Sequence, residues 1–542
     1  MEIQNISIPS NNKFVTDYLT NDIDMERFFD YNIHYPSVFQ TRKDAIIKRS
    51  FPRDSLVEHL QTYNQRFNCS EKTVANINKL KDQNSVAVIG GQQAGILTGP
   101  LYTIHKLVSI LKLAEQQERE LNCPVVPIFW VAGEDHDFAE INHVYVAERA
   151  LIKKKMVPHQ QQLKKSVSNI EMDKEICLTY IQGIFESYGE TEFTNELLHK
   201  LNEMVNHATT YVDLFVSIIT ELFGEYGVVM VDSGSEELRK IESDYFKTMI
   251  ESNKEIHDSV MIQQQKLQDN GYHKIIEMQP KSANLFYHLD GERILLEYCP
   301  EEKVFRGKSN ECEFTADQLL DIAEHHPEKL SNNVVTRPLM QEFLFPTLAF
   351  ISGPGEVAYW AELKEVFSLF NLQMPPVVPR IMITLIERNI DNDLKELNLP
   401  IETVLTSGVT GQKEQWIKAH TSFNVDEIVD NVQSEVELLH KQIRVAALKI
   451  DESMEGLLLK NASIIQSQFN FVKNTINKQI ENKHQVELNK FSKIEMSLYP
   501  NSSPQERVWN IFYYLNRYGL DFVHDMMKLT FVFDWEHKII KV

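Results

Sequence analysis

The stretch from Val86 to Ala114, VAVIGGQQAGILTGPLYTIHKLVSILKLA, confines this chain to few folds. Its first residues, Val86 to Ile89, form a short apolar run of the kind that makes a buried parallel strand. Gly90, Gly91, Gly95 and Gly99 then crowd a turn, as expected where the backbone approaches something closely or takes positive φ. Thr98 is placed to cap the following helix and Pro100 to occupy its first turn. Leu101, Ile104, Leu107, Val108 and Leu111 repeat at spacings of three and four, which gives one apolar face. A second apolar strand, Val125–Val131, completes a right-handed βαβ unit. The chain is therefore expected to be α/β, built on a parallel sheet.

The glycine turn has two readings. One is a plain structural connection. The other is a seat for an anion or nucleotide on the free N–H groups of a helix N-terminus. Neither G-x-G-x-x-G nor a P-loop is present. Under the second reading the contact candidates are Gly91, Gln92, Gln93, Gly95, Thr98, Gly99, Tyr102, His105 and Lys106.

Carboxyl ends of parallel strands are where open α/β sheets bind ligands. The strand Val125–Val131 exits into Ala132-Gly133-Glu134-Asp135-His136-Asp137. Three acids and an imidazole in consecutive positions can take a proton, orient an amine or hold a metal, which makes Glu134, Asp135, His136 and Asp137 the catalytic candidates. Asp137 can also simply cap the helix that begins at Phe138. A third apolar strand ending at Asp232 points to the same crevice. Phe345 to Ile351 leads into Ser352-Gly353-Pro354-Gly355-Glu356 and then a helix predicted over Val357–Phe370, a second strand-turn-helix cradle. Ser352, Gly353, Gly355 and Glu356 are its candidates, with Tyr359 and Trp360 placed either to stack on a base or sugar or to fill core. Arg380, on an extended segment, can hold a carboxylate or phosphate bidentately, or pair with a neighbouring acid.

Composition narrows the function classes. Of 542 residues 43% are hydrophobic and 24% charged, the balance of an ordinary globular chain with a large core. A net charge of -22 argues against a general nucleic-acid or anionic-membrane binder. The five cysteines include no C-x-x-C pair and are odd in number, which suits reduced thiols in a cytoplasm. Cys299, Cys312 and His288 are too loosely spaced for a zinc motif, and no metal ligand set is assigned. The N-terminal MEIQNISIPSNNKF lacks the pattern of a signal peptide, and no apolar run reaches the ~18 residues of a membrane helix.

Residues 1–85 read as a polar, mostly helical segment packed on the core. Residues 86–386 read as the sheet core, with insertions near 150–215 and 240–335. The second insertion carries a hairpin signal at Asp290-Gly291, between Ala283–His288 and Arg293–Tyr298. Residues 387–542 form a helical domain with a tail, whose helix Val508–Tyr518 ends at Gly519. Apolar residues step by three and four from Ile428 to Ile480 at about 3.7 per step, close to a straight helix. This predicts one continuous arm of ~80 Å, or two helices broken near Gly456. The stripe is expected to be buried on a partner subunit, with an intrachain hairpin as the alternative.

The literal wording adds to this. GGQQAGILTGPLYTIHK, FWVAGEDHDFAEINH, FPTLAFISGPGEVAYWAEL, PPVVPRIMITLIER and PQERVWNIFYYLNRYG, in this order, resemble the cysteine-adding ligase family of bacillithiol biosynthesis. The resemblance spans most of the chain. It implies a Rossmann-like core related to class I aminoacyl-tRNA synthetases, with inserted subdomains and a coiled-coil-like helical domain. It also implies amide formation between cysteine and the amine of glucosaminyl-malate. Joining a carboxylate to an amine requires activation, most simply by ATP with magnesium. The H-x-G-H and K-M-S-K signatures of class I synthetases are absent, His105 and Lys106 being the nearest substitutes. ATP is thus expected from the chemistry of the reaction rather than from a motif. The competing reading is a non-catalytic binding or scaffold protein that dimerises through its arm. A hydrolase fits poorly, with neither G-x-S-x-G nor H-E-x-x-H present.

Overall fold

The computed structural model describes residues 1–10, 12–148, 151–158, 164–421 and 423–542. They fall into two compact units, Met1–Leu385 with Gln505–Ile540, and Ile386–Pro504 with Lys541–Val542. The first is built on five strands, β1 (Val86–Gln92), β2 (Val125–Val131), β3 (Val229–Asp232), β4 (Thr347–Ser352) and β5 (Val377–Pro379). Their spatial order is 3-2-1-4-5 and every neighbouring pair is parallel. Helix α1 (Tyr102–Leu121) makes the crossover from β1 to β2 and buries Ile104, Leu107, Val108 and Leu111. Strands covered on both faces need apolar residues throughout, and Val86 to Ile89 are fully buried. The order reverses between β1 and β4, which opens a crevice at the carboxyl ends there.

The expected hairpin forms. Ser282–Leu289 and Glu292–Cys299 pair antiparallel around Asp290 and Gly291, whose φ values of 52° and 82° give the left-handed turn that suits strand twist. With Val304–Gly307, Glu313–Thr315 and Leu330–Asn332 they make a five-stranded sheet. The N-terminal helices pack on the core through Arg42, which is buried. It pairs with Glu342 at 2.6 Å and donates to the carbonyls of Thr347 and Gln373. Glu2–Ile6, a strand that the polar N-terminal sequence does not announce, shares a small sheet with His537–Lys541 and Ile383–Ile386.

Four elements differ from expectation. Thr98 does not cap α1, which begins at Tyr102. Leu97 and Thr98 take left-handed φ of 51° and 72°, and the Asn510 amide donates to the carbonyls of Leu97 and Gly99 at 2.7 Å each. The helix expected over Val357–Phe370 is two short ones, α2 (Pro354–Trp360) and Lys364–Leu369. The single continuous arm does not form; the alternative does, an antiparallel intrachain hairpin of α3 (Val425–Leu448) and α4 (Glu455–Lys483) broken at Lys449–Met454, close to Gly456. Its pairing is fixed by polar contacts that a hydropathy pattern does not display: His440 meets Asn461 at 3.0 Å, and Lys473 meets Asp426 and Asp430. Finally, Gln505–Ile540 belongs to the sheet-bearing unit and not to the helical one. Gln505 exchanges two hydrogen bonds with the Leu385 backbone, and Glu506 pairs with Arg380. The last strand is His537–Lys541. No described helix is long and apolar enough to cross a membrane.

Candidate active site

A cleft of about 680 Å³ opens over the carboxyl ends of β1 and β2. Gly91, Gln92 and Gln93 enter it from β1, and Trp130, Glu134, Asp135 and His136 from the end of β2 and its exit loop. Phe286 and Arg293 come from the inserted hairpin, Asn332 and Arg337 from the segment before β4, and Glu356 and Tyr359 from α2. Gly91 has a steric reason to be glycine. A Cβ there would lie 2.8 Å from the Trp130 carbonyl oxygen of the paired strand.

The acidic loop divides its labour. Asp135 is half-exposed in the cleft. Its Oδ1 accepts from the His136 N–H at 2.8 Å, and its Oδ2 accepts from the Gln93 side chain at 2.7 Å. The same Gln93 nitrogen donates to Glu140, so one amide holds two carboxylates side by side. Arg293 reaches Asp135 at 3.4 Å and His136 Nδ1 at 3.0 Å. Burial, and then the Arg293 charge, lower the His136 pKa. A neutral ring accepting at Nδ1 carries its proton on Nε2, so His136 offers a donor, and Asp135 is the group free to accept a proton. Glu134, in contrast, is a buried strut. Its Oε2 accepts from Arg239 at 2.7 Å and from the Asn332 N–H at 3.0 Å. Asp137 caps the Phe138–Ile141 turn through the Ala139 N–H and does not line the cleft. Asp137→Ala should cost about 1 kcal/mol of stability and leave turnover unchanged, as read by thermal unfolding beside an activity assay.

Several other sequence candidates have structural partners. Lys106 is buried and donates to the Gly91 carbonyl at 2.6 Å and to Glu356 at 2.5 Å. Burial lowers its pKa, and Glu356 opposes the shift. It ties the end of β1 to α2 from beneath. Glu356 also accepts from the Gly353 N–H at 2.6 Å, which closes the second cradle's own donor; Gly355 is exposed and, like Gly353, lies outside the cleft lining. Gly95, Thr98 and Gly99 are buried, and the Leu101 N–H donates to the Trp509 carbonyl, so the start of α1 is covered by the tail. Tyr102 is half-buried and does not line the cleft. His105 and Arg380 both bind Glu506, at 2.9 Å and in a bidentate pair at 2.5 and 2.6 Å. Trp360 stacks on Phe350 in the core at 4.3 Å. The Ser352 hydroxyl donates to the Val378 carbonyl at 3.2 Å. Asp232 is buried against Ser168 and the Gly234 N–H, and desolvation pushes its pKa up to about 6. These contacts hold the two turns in shape, and of these residues Glu356 lines the cleft.

Trp130 and Glu140, within the FWVAGEDHDFAEINH block but not singled out there, and Phe286, Arg293, Asn332 and Arg337, outside every quoted block, also line the cleft. The guanidinium of Arg293 lies over the Phe286 ring at 3.7 Å, across the hairpin, so both reach the cleft from a subdomain that looks chemically blank in the sequence. Among the described residues no three His, Cys, Asp or Glu side chains converge as a metal cluster. Asp135 and Glu140 are the adjacent pair that can supply one or two carboxylates to a magnesium whose other ligands come from phosphate oxygens and water.

Two family profiles together span nearly the whole chain. Residues 1–381 match the N-terminal Rossmann-like domain of bacillithiol biosynthesis BshC, and residues 383–542 match its C-terminal coiled-coil domain. Among curated proteins, the chain is 46% identical to "Putative cysteine ligase BshC" of Geobacillus sp. (strain WCH70). It is 44% and 43% identical to the proteins of the same name from Geobacillus thermodenitrificans and Bacillus velezensis. Each of these alignments covers the full length of both chains. By fold, by the ordered motifs around the cleft and by full-length identity, this chain belongs to the bacillithiol-biosynthesis BshC family.

Proposed function

We propose that the chain is a carbon–nitrogen ligase that joins cysteine to the amine of glucosaminyl-malate, forming bacillithiol. The observation that carries this reading is Asp135. It is a half-exposed carboxylate at a strand end, steadied by Gln93 and the His136 N–H, in a cleft that also presents cationic arginine. An attacking amine must lose a proton as the C–N bond forms, and a carboxylate within hydrogen-bond reach takes it. His136, neutral and donating from Nε2, is placed to hydrogen-bond oxygen that gains negative charge as the carboxyl carbon is attacked. ATP would supply the leaving group by converting the cysteine carboxylate to a phosphoric or adenylic anhydride. Gln92, Gln93 and the Asp135–Glu140 pair are the groups that would face it and its magnesium.

The hairpin supports a homodimer as part of the same proposal. Ile428, Val432, Leu439, Ile443 and Ile450 remain exposed on α3 and the turn after it, although they lie on the stripe that the sequence predicts to be buried. A second copy would cover them, and sedimentation equilibrium of the purified chain reads the mass directly. The reactants are reduced thiol and sugar metabolites, which supports a cytoplasmic activity as part of this reading.

The test is the reaction itself. Purified protein is mixed with cysteine, glucosaminyl-malate, ATP and magnesium, and the amide is sought by mass spectrometry. Product that requires ATP supports the ligase. Clean binding of the sugar without product would turn the reading to a binding or scaffold protein, for which the exposed stripe on the hairpin is the structural argument.

A further inference from the structure

We propose that Arg337, Asn332 and Trp130 form an anion subsite that recognises the malyl carboxylates of the acceptor. This rests on the ligase reading above for the identity of the ligand, but not for the existence of the site. The carboxylates around the cleft are already bonded. Glu356 in the cleft is committed to Lys106 and to the Gly353 N–H, Glu134 to Arg239, and Asp135 to Arg293 and Gln93. Arg337 lines the same cleft, half-buried, and its partners are neutral: the Tyr359 hydroxyl at 3.2 Å and the Gln341 carbonyl oxygen at 3.3 Å. Its guanidinium sits 5.4 Å from the Phe350 ring centroid. Among the described residues no carboxylate lies within ion-pair distance of it. A guanidinium taken partly out of water without a counter-anion is costly, and its fork geometry matches a carboxylate.

The neighbouring donors are also unspent. Asn332 is 1% exposed, lines the cleft, and neither atom of its side-chain amide has a partner. Its backbone is fully used, with the N–H on Glu134 and the carbonyl taken by Arg293, so the residue is fixed in place while its side chain is left unbonded. The Trp130 indole N–H, also on the cleft wall and buried, has no acceptor. Buried polar groups in folded proteins are nearly always satisfied, and exceptions point to a missing partner. Two buried donors lacking an acceptor, beside a guanidinium bonded only to neutral groups, define a partner that is anionic and rich in oxygen. The malyl end, with two carboxylates, has that chemistry. A phosphoryl group shares it, and the two are separated by experiment.

Full-length protein is titrated calorimetrically with L-malate and, in a second arm, with inorganic phosphate. Wild type is expected to bind malate in preference to phosphate. Arg337→Gln should weaken malate at least tenfold, Arg337→Lys less, and Asn332→Leu measurably, each with an unchanged thermal midpoint. In turnover, Arg337→Gln should raise KM for glucosaminyl-malate at least tenfold while KM for cysteine holds. It should also erase the preference for glucosaminyl-malate over methyl glucosaminide, which has the amine but no carboxylate. Malate binding that is indifferent to Arg337→Gln in a folded protein would overturn the subsite. So would phosphate binding as tight as malate and competing with it, which would give the site to the nucleotide. Arg337-dependent malate binding in a protein that makes no amide would leave the subsite standing and remove the ligase reading.

Discussion

Asp135→Asn is expected to slow amide formation by roughly 10²- to 10⁴-fold, the range for removing a general base. The substitution is nearly isosteric. An asparagine oxygen still accepts from the His136 N–H, and the Gln93 nitrogen keeps its bond to Glu140 while losing the one to residue 135. The cleft therefore keeps its shape and loses the proton acceptor. Because the change acts on chemistry and not on binding, KM for both substrates should stay within a few-fold, and malate affinity should be that of wild type. His136→Gln, which keeps a donor near the same place, should be milder. Steady-state kinetics read by product mass decide the matter. If Asp135→Asn turns over at the wild-type rate, Asp135 is not the base. The remaining carboxylate of that edge is then Glu140, held on the same Gln93 nitrogen.

The second large effect concerns stability. Glu506 is buried between Arg380, which binds it bidentately, and His105. Glu506→Ala leaves Arg380 buried and unpaired, and should cost about 3–5 kcal/mol, read as a lowered midpoint in thermal or denaturant unfolding. Arg380→Met combined with Glu506→Leu removes both charges and should recover most of the loss. If that double variant also keeps turnover, Arg380 serves the fold and not the substrate. The pair carries a pH signature. Burial works against the Glu506 carboxylate, but Arg380 and His105 overcome it and hold the pKa well below the ordinary value of 4.5. Burial lowers His105, and it brings His537 down to about 4 from 6.5. A folded pKa below the unfolded one means stability that is complete above the unfolded value and lost on acidification. The histidine share should therefore fade from about pH 6.5 toward 4, and the Glu506 share below 4.5. Melting midpoints should carry the histidine-linked loss between about pH 6.5 and 4, opposed in part by Asp232, whose raised carboxyl gains stability as it protonates, and Glu506→Ala should flatten the curve between about pH 4.5 and 3.

What the sequence displays is what short-range patterns encode. The β1 run, the α1 stripe, the Asp290-Gly291 hairpin and the acidic loop after β2 all lie within one or two elements, where periodicity and turn chemistry act. The cleft's position follows from strand order, and Asp135 and Gln93 were legible as its residues. Arg293 and Arg337 were not, because nothing local distinguishes a cleft arginine from a surface one until the inserted hairpin folds against the strand ends. Arg380 shows the converse. Its chemistry suits a substrate carboxylate, but the carboxylate it finds is Glu506, 126 residues further along the chain. A hydropathy reading offers the α3–α4 hairpin only as the alternative to a partner subunit, because a stripe of apolar residues says that burial is needed and not which surface provides it. His440 with Asn461, and Lys473 with two aspartates, make that choice.

The tail gives the order of events in synthesis a chemical meaning. Asn510 clasps the left-handed turn after β1, Trp509 covers the start of α1, and Glu506 neutralises Arg380. All three follow the helical hairpin in the chain and are made after it. A ribosome-bound or prematurely terminated chain thus holds the sheet's residues without the pieces that close its first turn. Fragments that stop before Gln505 are expected to be open at the β1 turn and quickly degraded, so that the cleft's first turn is closed only by residues made long after it.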